Sequence, residues 1–399
     1  MAVAGGASGK NTARILTIVV FNAITYVLIG LPLAVFPGVV HFTLGYSAAL
    51  AGGVISLQYV ATLVTRSPIG WLCDQKGGKM AVMLGLAFAA LNGVFILLAS
   101  FAPGPLLMLA GLLLSRLMLG VAESGCGTGC NLWGMARVGH AASAEVMSWN
   151  GIASYGGIAV GAPLGVALMR CGGLEALGLT AVILPVLGLL GACFSPAALP
   201  LPGAIRASMF KVVRKVWAYG VALACGSFGF GVIVAFMALY YATQGWRGAA
   251  FALTSFGVCF VLVRLVLVGV IGRFGGFRVA LVSFMVESLG LVLLWQAPSP
   301  LLALVGAGLA GFGLSLIFPA LGVEVLKIVD AGNRGAALAI YTVFLDVALG
   351  LTGPVAGAVA GHDGYPSVFG LGAAVVCVAL ALTGRLFWSV RRHGVRSLR

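Results

Sequence analysis

Long apolar runs, separated by short segments carrying charges, glycines or prolines, recur from one end of this chain to the other. Splitting it at those breaks gives twelve stretches, from 15–39 to 367–388, each near the roughly 20 residues that cross a bilayer as a helix. They are too long and too evenly apolar for barrel strands, whose two faces alternate. Helices satisfy their own backbone groups in hydrocarbon, so an all-α integral membrane protein is expected, with twelve transmembrane helices.

Composition agrees with the pattern. Of 399 residues, 61% are hydrophobic and 8% charged, against about 25% charged in soluble domains. A chain of this size cannot bury that much apolar surface from water, which excludes an ordinary soluble protein. The 60 glycines fall largely within the apolar runs, where they let helices approach closely. The eight cysteines form no CxxC pair; Cys126 and Cys130 share a helix face, with no histidine near them in sequence, and read as packing residues. No metal or cofactor is expected.

A net charge of +14 would suggest nucleic acid in a soluble protein; here its placement gives orientation instead. With the N-terminus inside, the inner segments hold Lys10, Lys76, Lys79, Arg137, Arg273, Arg278, Lys327 and Arg334. They also hold a mid-chain cluster at Arg206, Lys211, Arg214 and Lys215, and the arginines of the last residues. The outer loops hold Arg170 and Arg247. Both termini are therefore expected in the cytoplasm of a bacterial inner membrane, with no nucleic-acid partner.

The spans divide into two halves. Residues 1–14 read as a tail, 15–194 as one six-helix bundle, 195–215 as a proline-bearing linker, 216–388 as a second bundle and 389–399 as a tail. After span 2 the chain reads Gly70, Asp74, Gly77, Lys79, and after span 8 Gly269, Arg273, Gly276, Arg278, at identical spacing. Duplicated, pseudo-symmetric six-span halves mark a transporter whose site lies at the repeat interface.

The first of these loops resembles the signature between helices 2 and 3 of the major facilitator superfamily. Arg116-Leu-Met-Leu-Gly120 resembles that superfamily's arginine motif in span 4. The run containing Gly157, Gly161, Pro163 and Gly165 is similar to the glycine-proline motif of its antiporters, echoed in span 11 by Gly353, Pro354 and Gly357. Four further runs, 55–66, 148–157, 318–324 and 333–346, resemble bacterial arabinose-efflux-permease-like exporters of the YhhS/YfcJ type. The resemblance implies a monomeric, proton-driven exporter of small molecules. Arg273 departs from it at the acidic position of the second loop, as does Glu123 after the arginine motif.

Ionisable groups in hydrocarbon cost roughly 2.5–3.5 kcal/mol each on insertion scales, so each needs a partner or a task. Arg116 and Glu123, two helical turns apart on one face of span 4, are candidates for proton coupling or for holding an anionic substrate group. Asp346, about mid-span in span 11 with no basic residue near it in sequence, is the best candidate for the coupling proton site. Arg264 on span 8 and Glu287 on span 9 sit at matching depth and are expected to form a structural ion pair. Glu324 near Lys327 reads as a pair at the span 10 terminus.

At the inner loops, Asp74 is expected to face the start of span 11, where Arg334 lies, and Arg273 to latch onto Glu145 at the start of span 5. Weaker cavity candidates are Asn22, Tyr26, Gln58, Tyr155, Tyr240 and Tyr341, on spans expected to line a substrate path.

These observations favour a secondary transporter working by alternating access. Proton-coupled efflux of a sugar, drug-like or other small organic compound comes first, and a symporter importing a small metabolite is the alternative. A membrane-embedded enzyme is more distant, because it needs a nucleophile, base or metal ligands clustered at one depth. His41, His140, His362 and His393 fall in loops or the tail.

Overall fold

A computed structural model describes residues 3–139, 142–198, 209–267, 269–329 and 334–396. Among them every regular element is helical. In the first half these are α1 (Val3–Leu33), a short α2 (Phe36–Gly38) running into a π-helical turn at Val39–Thr43, α3 (Ala48–Lys76), α4 (Gly78–Ser100), α5 (Pro105–Val138) and α6 (Ser143–Phe194). The second half holds α7 (Met209–Thr243), α8 (Ala249–Leu267), α9 (Val270–Phe274), α10 (Gly276–Trp295), α11 (Pro300–Ile328), α12 (Arg334–Asp363) and α13 (Tyr365–Arg396).

Eleven of the described helices are long and apolar enough to cross a membrane. One of them, α6, contains two crossings, because Gly172 and Gly173 leave helical geometry in its middle, the second with φ of +63°. The expected twelve crossings are thus present. Their ends differ from expectation. Helix continues through segments read as tails, since α1 begins at Val3 and α13 runs to Arg396, and α7 starts at Met209 inside the expected linker. The first span closes at Leu33, where Pro32 and Pro37 interrupt backbone hydrogen bonding.

Turn chemistry sets several helix starts. Pro105 occupies the first turn of α5, and Ser299 accepts the Leu302 N–H at 3.4 Å ahead of Pro300 in α11. Helices α4 and α10 each follow a left-handed glycine, Gly77 at φ +84° and Gly275 at +85°. Gly77 N–H donates to Cys73 O at 2.9 Å, and Gly275 N–H donates to Ile271 O at 3.0 Å. The two turns are therefore copies, but Gly77 corresponds to Gly275 rather than to the Gly276 that motif spacing had matched. The second turn therefore falls one residue earlier than the motif spacing predicts. Arg273 consequently does not stand where Asp74 stands.

Contacts divide the chain into two compact units, Met1–Tyr46 with Leu57–Gly203, and Ser47–Ser56 with Ala204–Arg399. The sequence reading placed span 2 wholly in the first bundle; the contacts assign its opening turns to the second unit. There Gly353 N–H donates to Ser56 Oγ at 2.8 Å, and the absence of side chains at Gly353 and Gly357 lets α12 meet the backbone of Gly52 and Ala49.

In the first unit α1 lies along the first half of α6. A methyl added at Gly157 would sit 2.8 Å from Tyr26 Cβ and 2.9 Å from Ala23 O, and one at Gly161 would sit 2.9 Å from Gly30 Cα. Gly165 meets the Leu31 backbone in the same way, and Pro163 lies within this stretch of helix. The glycines are thus spaced to form one seam. Helices α4 and α5 pack similarly through Gly85, Gly125 and Gly129, beside a buried cluster in which Phe21 stacks on Trp133 with centroids 5.8 Å apart. Cys126 and Cys130 belong to that cluster, as packing residues would.

Candidate functional site

Helices α1, α3 and α5 of the first unit converge on the carboxylate of Glu123, which is 7% exposed. Gly120, one turn earlier on α5, brings the two backbones together; a methyl there would lie 2.6 Å from Ala61 Cβ and 3.0 Å from Thr62 N. Gln58 Nε2 then donates to Glu123 Oε2 at 2.7 Å and Thr62 Oγ1 to the same oxygen at 3.0 Å. Tyr26 Oη, from α1, donates to Oε1 at 3.0 Å. Three donors from two other helices surround one carboxylate.

Thr62 has alternatives. Its hydroxyl also lies 3.1 Å from Gln58 O and 3.1 Å from Gly120 O. With Glu123 ionised, the hydroxyl hydrogen points to the carboxylate; with Glu123 protonated, it can turn to a backbone carbonyl while Oγ1 accepts the acid proton. Both protonation states fit without moving a heavy atom.

Next to this cradle stands Arg116, on the same helix and fully buried. None of its three guanidinium nitrogens has a hydrogen-bond partner among the described residues. The separation from Glu123, about 10.5 Å along the helix axis at 1.5 Å per residue, is too great for a direct bridge. A buried cation without a hydrogen-bond partner is destabilising.

A second polar cluster adjoins on α1, α5 and α6. Asn22 Nδ2 donates to Ser154 Oγ at 2.9 Å, Ser154 Oγ donates to Asn150 O at 2.9 Å, and Asn150 Nδ2 donates to Gly127 O at 3.3 Å. Tyr155, one residue on, is partly buried. Thr62, Asn150 and Ser154 were missed as site residues. The signal was helical spacing: Thr62 follows Gln58 by four, and Ser154 follows Asn150 by four.

Among the second-unit candidates, two tyrosines serve packing instead of a cavity. Tyr240 is fully buried against Tyr241, Trp246 and Phe369 and donates to Leu294 O at 3.0 Å; Tyr341 is fully buried against Phe318 and donates to its carbonyl at 3.2 Å. A phenol in hydrocarbon needs such an acceptor. Asp346 is 2% exposed on α12.

The expected pair of Arg264 and Glu287 does not form. Arg264 Nη2 donates to Ser315 O at 2.6 Å and its guanidinium lies 5.0 Å from the Phe260 ring centroid. The Glu287 carboxylate instead faces Gly226 and Gly229 of α7, and its Oε2 has no partner among the described residues. The reason is an intervening helix: α11 packs on both α8 and α10, with Gly313 against the Glu287 backbone and Gly311 against Phe256.

In the loops, Asp74 is exposed, while Lys79 Nζ donates to Cys193 O at 3.0 Å and Ser195 O at 2.7 Å. Gly70 has open space around it. Glu145 Oε1 accepts from Thr12 Oγ1 at 2.6 Å, and the exposed Arg273 lies 5.6 Å from the Phe274 ring centroid. The Arg334 side chain lies outside the described residues.

The chain is 48% identical over 379 residues to an uncharacterized MFS-type transporter of Burkholderia mallei (strain SAVP1), covering 94% of this chain and 93% of the relative. It is also 48% identical over 384 residues to one of Pseudomonas aeruginosa (strain LESB58), covering 96% and 95%. This chain belongs to the major facilitator superfamily. The model of that superfamily matches residues 248–398. Two solved structures share the fold: the human organic anion transporter MFSD10, with TM-score 0.68 and 17% identity over 93% of this chain and 99% of that one, and the nucleoside transporter NupG, with TM-score 0.73 and 15% identity over 94% and 100%. The protein is a multi-pass membrane transporter of this superfamily, with a small-molecule substrate.

Proposed function

We propose that this transporter exports a small organic compound across the bacterial plasma membrane in exchange for protons, with Glu123 as a proton-carrying group and Arg116 as its electrostatic counterpart. The observation that carries the reading is the Thr62 hydroxyl, held within 3.1 Å of Gln58 O and Gly120 O and 3.0 Å from Glu123 Oε2. A carboxyl whose hydrogen-bond network accepts either protonation state can load and unload a proton at little reorganisation cost. The buried guanidinium supplies the coupling. Ionised Glu123 offsets its charge through space without a direct bridge, and an anionic group of the cargo takes that role when Glu123 is protonated. Proton and cargo then occupy the region in alternation, which is the requirement for exchange.

The efflux direction is supported by the resemblance of the glycine-proline run at Gly157–Gly165 to antiporter motifs, and by the resemblance of residues 55–66, 148–157, 318–324 and 333–346 to arabinose-efflux-permease-like exporters. Asp346, buried on α12, is proposed as a second proton site serving the other half of the cycle.

The test begins with a thermal-shift screen of sugars, amino acids, organic acids and lipophilic cations, which selects the cargo. In inverted vesicles with an acidic lumen, wild-type protein is expected to accumulate that compound. Glu123→Gln should abolish accumulation while gradient-free counterflow persists, and Asp346→Asn should behave likewise. Undiminished gradient-driven accumulation by Glu123→Gln overturns the coupling role. Accumulation only in right-side-out vesicles, driven by external acid, would establish an import symporter instead.

A further inference from the structure

The strongest unassigned feature is a cavity of about 310 Å³ in the second unit, where the first turn of α10 meets the last turns of α11 and α13. Its walls include Phe277, Arg278, Glu324, Lys327, Phe387 and Arg391. The volume lies at the lower end of the range typical of small-ligand sites.

Its charges are unbalanced. The one carboxylate in the wall, Glu324, is already committed: its Oε1 accepts the Gly276 N–H at 3.0 Å and Lys327 Nζ at 2.8 Å. Lys327 keeps two further N–H donors for another acceptor. Arg278 is exposed and has no acidic partner among the described residues. Arg391 is held over the Phe387 ring at 4.6 Å from the centroid, which orders its guanidinium without neutralising it. Three cations therefore surround one small volume with a single, occupied counter-charge.

The rim is not that of a site for a free ion. Phe274 and Val390, also in the wall, are 50% and 49% exposed, and Trp388, two residues before Val390, is 62% exposed. Cations set directly beside exposed aromatic and aliphatic side chains reproduce the junction between lipid headgroups and acyl chains. The Lys/Arg distribution assigns this end of the helices to the cytoplasmic leaflet, where anionic lipids reside.

We infer that this cavity holds the phosphate headgroup of an anionic phospholipid, with Arg278, Lys327 and Arg391 on the phosphate and the acyl chains lying along Phe274 and Val390. The lipid would bridge the ends of α10, α11 and α13. None of these residues belongs to the proposed coupling centre, so the inference stands or falls independently of it.

The test is native mass spectrometry of the full-length detergent-solubilised protein titrated with phosphatidylglycerol, phosphatidylcholine or inorganic phosphate. Wild-type protein should retain phosphatidylglycerol selectively. Arg278→Gln with Arg391→Gln should weaken its retention about thirtyfold, taking roughly one kcal/mol per lost basic contact at the surface. Arg170→Gln with Arg247→Gln, at basic positions outside the cavity, should leave retention unchanged. Should the double variant fold poorly, Arg391→Gln alone, on an exposed side chain, is expected to show a weakening of about fivefold. Equal retention by the cavity variants, equal loss in the Arg170 and Arg247 variant, or occupancy by inorganic phosphate that displaces the lipid would each overturn the assignment.

Discussion

Gln58 Nε2 donates to Glu123 Oε2 at 2.7 Å, joining α3 to α5 through residues 65 positions apart in the chain. A hydrogen bond to a charged group contributes about 1.5–3 kcal/mol, and its loss leaves a buried acceptor short of a partner. Gln58→Ala should lower detergent unfolding stability by about that amount. Gln58→Glu should lower it further, because two carboxyls would then face each other. Thermal unfolding of purified variants measures both effects.

Thr62→Val removes the hydroxyl that serves both protonation states of Glu123, whereas Thr62→Ser keeps it. Gradient-driven flux should fall at least tenfold in the valine variant and survive in the serine variant, with cargo binding retained in both. Comparable flux in the two variants would show that the hydroxyl plays no part in coupling.

The loop glycines are not equivalent. Gly70, inside α3, has open space around the position of a Cβ, so Gly70→Ala should not lower stability and gains up to about 1 kcal/mol of helix propensity. Gly77, at φ +84°, and Gly275, at +85°, hold left-handed turns, and alanine at either should cost about 1 kcal/mol or more. Chemical unfolding of the four alanine variants at Gly70, Gly77, Gly269 and Gly275 should separate them into two tolerated and two damaging changes.

Arg264 and Glu287 give a sharp negative expectation. Their side chains go to different helices, so exchanging the two charges should not rescue either single charge reversal. Glu287→Gln, close in shape and losing no bridge, should express and unfold within about 1 kcal/mol of wild type. Rescue by the exchanged double variant, judged by expression and fluorescence-detected size exclusion, would restore the pair.

Much of the architecture was legible because hydrocarbon leaves few alternatives: a run of about 20 apolar residues must be helix. Even the division of α6 could be read, since Arg170 and two glycines interrupt it. Contacts between distant spans could not be read in the same way. The partners of Glu123 come from 97, 65 and 61 residues away; local spacing puts Thr62 on the face of Gln58 but does not bring either of them to Glu123. The Arg264 and Glu287 expectation failed because it took consecutive spans for neighbours, whereas α11 lies against both. The second loop misled for a local reason. Its motif spacing matched the first, but the left-handed turn falls at Gly275 instead of Gly276, and only backbone geometry reveals which glycine bends the chain.

The glycine seam between α1 and α6 constrains what can change over evolutionary time. Where backbones touch at Gly157, Gly161 and Gly165, a Cβ at any of them would meet backbone atoms of α1 at under 3 Å, so no larger residue fits there. Substitutions among descendants of this chain should therefore collect at neighbouring positions whose side chains have volume to trim or exchange, while the seam itself stays glycine.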